Sequence, residues 1–158
     1  MSDRKLDKQI RYLARILSEH METETDLKNK TLTITITNVR DVKIEEDEDK
    51  RGIEIRYNRG REFYDYGDDV HEEYDAYNYG SLNVEENKKD GTVNIRTNST
   101  TKIIDPSNNI IAENGYNVNA LLKGCVKSIE HDKNLKEAKL VLYIEGLENI
   151  EINRERRL

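Results

Sequence analysis

The sequence predicts an α+β fold in which two helix-strand-strand units flank a mainly β middle region. Three observations predict it. Apolar residues recur at helical spacing near each end, apolar and polar residues alternate strictly between them, and the two ends correspond at a constant offset of 108 residues.

Taken in order, Leu6, Ile10, Leu13, Leu17 and Met21 fall on one helical face while Lys8, Arg11, Arg15 and Glu19 fall elsewhere, so an amphipathic helix is expected over about residues 3–21. Residues 31–37 alternate, with Leu32, Ile34 and Ile36 on one side and threonines on the other, as a half-buried strand requires. Val42 and Ile44 continue the pattern after Asn38, which predicts a bend or tight turn near residues 38–41. The polar run 45–52 ends in glycine and leads into Ile53, Ile55 and Tyr57, another alternating strand. Leu82 and Val84 face Val93 and Ile95 across 87–91 as a hairpin, and Ile103-Ile104 face Ile110-Ile111 across 105–109, where the single proline, Pro106, sits in the turn.

Past Gly115, Val118, Leu121, Leu122, Cys125 and Ile129 return to helical spacing, with Gly124 as a weak point, so a second helix is expected. Leu140, Leu142 and Ile144, then Ile150 and Ile152, predict two closing strands before the basic tail Arg154, Arg156 and Arg157. The offset superposes Ile10 on Val118, Leu17 on Cys125, Leu32 on Leu140, Ile36 on Ile144 and Ile44 on Ile152, each apolar position meeting an apolar or cysteine partner. An internal duplication would leave that agreement, and so would shared periodicity alone.

Composition bounds the rest. A chain of 158 residues with 35% hydrophobic content suits one domain, residues 1–158, and the lack of Trp together with a single Phe leaves a core of Ile, Leu, Val and some of the nine tyrosines, which leaves room for a homodimer. The only cysteine, Cys125, admits no intramolecular disulfide, and no apolar run reaches signal-peptide or bilayer length, so a reducing, cytoplasmic setting without a membrane partner is expected. The net charge of −6 argues against direct nucleic-acid binding. It is unevenly spread: from 62 to 87 there are nine acids and no Lys or Arg, which leaves the remainder of the chain at +3.

Familiar chemical motifs are lacking. His20, His71 and His131 are far apart and outside zinc spacings; Asp47, Asp49 and Gly52 begin a calcium-loop pattern that fails at Arg51 and Asn58; no phosphate-binding glycine loop or serine elbow occurs. No cofactor and no metal site are expected. Cys125 reads as a small core residue rather than a nucleophile. The informative stretch is 62–80, where acids alternate with aromatics. Asp65, Tyr66, Asp68, Asp69, Glu72, Glu73, Tyr74, Asp75, Tyr77 and Tyr79 make a partner-binding set: tyrosine gives contact area at low entropic cost and the carboxylates steer a basic partner. The bland reading of the same residues puts the tyrosines in the core and the acids in water.

The expected function is therefore a non-catalytic acidic binding protein, an inhibitor or neutraliser of a basic nucleic-acid-handling or toxin-type effector, imitating the phosphates such a partner holds. Two alternatives carry less: a structural or assembly protein of a viral or other symmetric oligomer built through exposed strand edges, and a metal-assisted enzyme around His71 with Asp68, Asp69, Glu72 and Glu73.

Overall fold

The computed structural model describes residues 4–18, 21–66, 72–124, 129–133 and 137–157, with side chains over 4–18, 21–58, 77–124 and 137–155. Among the described residues one helix, α1 (Arg4–Leu17), precedes ten strands: β1 (Glu22–Asp26), β2 (Thr31–Thr37), β3 (Val39–Glu46), β4 (Lys50–Tyr66), β5 (Glu72–Asn87), β6 (Thr92–Ile104), β7 (Ile110–Gly124), β8 (Ile129–Lys133), β9 (Glu137–Tyr143) and β10 (Leu147–Arg157). The fold is mostly β with a single described helix, an α+β arrangement weighted heavily towards sheet.

Every pairing is antiparallel. A four-stranded sheet runs β1-β2-β9-β8 and a six-stranded sheet runs β10-β7-β6-β5-β4-β3. Alternation decides which face each residue takes. Leu32, Ile34, Ile36, Leu140 and Leu142 of the small sheet and Ile53, Ile55, Leu82, Val84, Val93, Ile95, Val118, Ala120, Leu122 and Ile150 of the large sheet are buried in one apolar cluster with Ile10, Leu13, Ile16 and Leu17 of α1. The helix is tied to both sheets. Thr23 Oγ1 of β1 donates to the Ala14 carbonyl at 2.9 Å, and Gln9 Nε2 donates to the Ile150 carbonyl of β10 at 3.3 Å.

Consecutive strands pass from one sheet to the other at two corners. At Asn38, with φ of 55°, the chain leaves β2 in the small sheet and enters β3 in the large one within a single residue, and the Asn38 carbonyl accepts from Asn58 N at 3.1 Å. A second corner joins β9 to β10, where Leu147 N donates to the Ile144 carbonyl at 3.1 Å and Gly146 takes φ of 84°. Such corners let a sheet fold over onto its neighbour without a long connection.

The predicted turns are in place. Asp47 Oδ1 accepts from the Asp49 and Lys50 backbone N–H groups, both at 2.8 Å, between β3 and β4, and those bonds hold its carboxyl below the usual aspartate value. Asp105 Oδ1 accepts from Ser107 N at 3.0 Å and Asn109 N at 2.8 Å between β6 and β7.

Two expectations need correction, and one element was not expected. Helix α1 ends at Leu17, and Met21 is buried beyond it, its N–H donating to the Leu17 carbonyl at 3.1 Å. The short strand β1, Glu-Thr-Glu-Thr-Asp, has no apolar residue to announce it. The expected second helix is strand β7 up to Gly124, so two helix-strand-strand units are not found among the described residues and no duplication is shown. The cause is a competition of periods. Val118, Ala120 and Leu122 alternate inward at strand spacing, while Leu121 beside Leu122 also completes a helical stripe. Gly124, at φ of 125°, donates its N–H to the Gly91 carbonyl at 3.1 Å. Cys125 lies outside the described residues.

Candidate functional site

The acidic, tyrosine-rich segment forms the distal ends of β4 and β5. Register sets Tyr64 opposite Tyr74, Asp65 opposite Glu73 and Tyr66 opposite Glu72. Strand β6 reaches β5 only as far as Ile104 opposite Asp75, and β3 begins opposite Tyr57. Beyond those points β4 and β5 are flanked by no other described strand and continue as a two-stranded ribbon. Asp65, Tyr66, Glu72, Glu73 and Tyr74 are placed by their backbone there, with Asp75 at its base opposite Ile104, whereas Asp68, Asp69 and His71 lie outside the described residues.

Tyr77 and Tyr79 are the members of the set whose side chains are described, and neither belongs to the core. Tyr77 is half-buried and Tyr79 is 36% exposed. Lys102 Nζ stands 5.7 Å from the centre of the Tyr79 ring and 3.8 Å from Glu113 Oε1, and Tyr79 first, then Glu113, hold its ammonium above the usual lysine value. Among the tyrosines whose side chains are described, Tyr57 alone is buried in the core. Its hydroxyl lies against Gly80, where an added Cβ would come within 2.9 Å of that oxygen and collide with the Asn98 carbonyl, so a residue without Cβ is required.

Arg56 is the arginine nearest the segment among the described side chains, and it is engaged within the sheet. Its guanidinium bonds Glu54 Oε1 at 2.9 Å, and that bond raises its pKa.

A second polar region was not anticipated. The face of the six-stranded sheet opposite the core carries amides where solvated strands commonly carry Thr, Lys or Glu. Glu54, Asn83, Arg96, Asn119 and Asn153 stand in one cross-strand row, and Arg56, Ser81, Asn98, Asn117 and Glu155 in the next. Two adjoining depressions of about 340 and 410 Å3 lie over these rows and share Asn83 and Arg96. Ser81 links the second to a third, whose wall is Tyr79. Together they cross the sheet from Lys43 on β3 to Glu155 on β10.

Two acceptors in this trough are unpaired. The Oδ1 atoms of Asn94 and Asn117 are buried and have no hydrogen-bond partner, a state that costs about 1–3 kcal/mol for each such group. The signal was present in the sequence as polar residues at the strand period, Asn94, Arg96 and Asn98 on β6 and Asn117 and Asn119 on β7, alternating with Val93, Ile95, Val118 and Ala120.

Among the described residues, no three His, Cys, Asp or Glu side chains are grouped to hold a metal ion. His20 lies outside the described residues, and His131 is placed on β8, opposite Leu140, by its backbone. No described helix is long and apolar enough to cross a membrane. Comparison with known proteins gave no match, whether to family models, to curated proteins or to solved structures.

Proposed function

We propose that this chain is a non-catalytic binding protein that docks a basic protein on the acidic ribbon of β4 and β5. The observation that carries the reading is the register that sets Asp65 directly opposite Glu73, with Glu72 and Asp75 beside them, where no other described strand flanks the pair. Like charges directly opposite in an antiparallel pair are destabilising, so the ribbon holds its charge against its own stability. A partner bearing Lys or Arg relieves that repulsion and gains from the tyrosines at Tyr64, Tyr66 and Tyr74, a combination suited to steering first and contact area second. The commitment of Arg56 to Glu54 supports the same reading, because it leaves that cation engaged within the sheet.

An effector that normally grips phosphates presents the cationic groove such a ribbon fits, and inhibition by occupying that groove is the consequence. Titration against polylysine and a panel of small basic proteins, over a salt series, tests it. Binding should weaken steeply with salt, and the combined change Asp65→Lys, Glu72→Lys, Glu73→Lys and Asp75→Lys should lower affinity by about tenfold or more, as loss of steering and of several charge pairs implies. Equal binding by the charge-reversed chain, or none by the native chain, would sink the proposal.

A further inference from the structure

The amide-lined trough on the outer face of the six-stranded sheet is independent of the ribbon, and its chemistry differs. We infer that it is a binding site for an uncharged, hydroxyl-rich chain, an oligosaccharide lying across the strands.

Four features point there. The first is hydrogen-bond character: each Asn amide offers a donor and an acceptor in one plane, as a pair of neighbouring sugar hydroxyls does, and Asn83, Asn98, Asn117 and Asn119 repeat that unit along the trough. The second is the unpaired acceptors. The buried Oδ1 atoms of Asn94 and Asn117 need donors, and a hydroxyl supplies one without bringing a charge.

The third is electrostatic. Lys43 is paired with Glu45 at 3.2 Å and Arg56 with Glu54 at 2.9 Å, so most of the charge lining the trough is compensated within it, and a strongly ionic ligand would have to displace these pairs. Arg96, at the centre and shared by both depressions, has no ion-pair partner among the described residues and offers a fork of N–H donors to ligand oxygens. The fourth is spacing. The trough crosses the strands, which lie about 4.8 Å apart, so a chain following it meets a fresh polar side chain at intervals comparable to the length of one pyranose unit. Tyr79, exposed at the wall of the third depression, supplies a ring against which a sugar face can lie.

The test is a panel of neutral oligosaccharides of differing linkage, followed by the side-chain amide signals of the asparagines in solution NMR. Binding should shift the amides of Asn94 and Asn117. The double variant Arg96→Ala with Asn119→Ala, both exposed and outside the core, should lower affinity by about tenfold or more while the unfolding midpoint stays near that of the native chain. The ribbon reversal at Asp65, Glu72, Glu73 and Asp75 should leave sugar binding unchanged, which separates this site from the proposed protein partner. Binding restricted to acidic sugars or to extended peptides, shifts located elsewhere, or no binding across the panel would each overturn the inference.

Discussion

Glu86 sits at an inward position of β5, 7% exposed, in line with Leu82 and Val84. Burial pushes its carboxyl above the ordinary 4.5, only partly countered by Arg51 and Lys88, and Glu46 adds to the rise. A carboxyl whose folded pKa is raised binds its proton more readily in the folded chain than in the unfolded one. Its favourable contribution is therefore complete below about 4.5 and is lost as pH rises through the higher folded value. Replacing Glu86 with Gln removes that loss while keeping the shape. Urea unfolding across a pH series should find the Glu86→Gln chain more stable than the native one at pH 7, with the difference closing as pH falls below the ordinary glutamate value. A constant difference at every pH would assign the effect to packing instead. The shift was not legible in the sequence, where Glu86 counted simply as one of the nine acids between residues 62 and 87. The alternation from Leu82 through Val84 does place it inward, but its burial depends on what the other strands and α1 bring over that face.

At the scale of elements, the corner at Asn38 carries more of the architecture than its length suggests. One residue with φ of 55° transfers the chain from one sheet to the other, and its carbonyl accepts from Asn58 N. Asparagine visits this left-handed region readily, glycine more so, and a β-branched residue poorly. Asn38→Gly should therefore leave the thermal midpoint nearly unchanged, whereas Asn38→Val should destabilise by about 1–3 kcal/mol, the usual range for a strained backbone position. Similar losses for both variants would mean that the asparagine side chain, not the backbone angle, holds the corner. The bend itself was readable, because apolar alternation broke and resumed around Asn38. So were the hairpins, whose turns carry Asn87 with Gly91 and Asp105 with Pro106. The segment after Gly115 was not, since Leu121 and Leu122 side by side satisfy two periods at once and only pairing with β6 and β10 selects the strand. The ribbon was located by its composition; the trough was missed because amides at strand spacing resemble an ordinary solvated face until neighbouring strands align them in rows.

At the scale of the whole molecule, the six-stranded sheet ends in β3 on one side and β10 on the other, and these two strands run in opposite directions. Joining β3 of one copy to β10 of another would continue the antiparallel alternation, which is the geometry an assembly protein would use. Both edges carry features that resist it. A register irregularity lies between Val39 and Asp41 on β3 and another between Leu147 and Asn149 on β10. Arg40, Asp41, Lys43, Glu45 and Glu46 charge the first edge, and Glu148, Glu151, Arg154 and Glu155 the second. Bulges and charges are the devices by which proteins keep edge strands from pairing with other chains. The native chain should accordingly remain a monomer in light scattering at its highest soluble concentration. The pair Lys43→Thr and Glu45→Thr, which removes charge from β3 and raises its strand propensity, should shift it towards dimers and larger species. A ring or other fixed oligomer formed by the native chain would reverse this argument: the edge charges would then be interface pairs, Lys43 and Glu45 would be needed for assembly, and the same double variant would dissolve the oligomer instead of creating one.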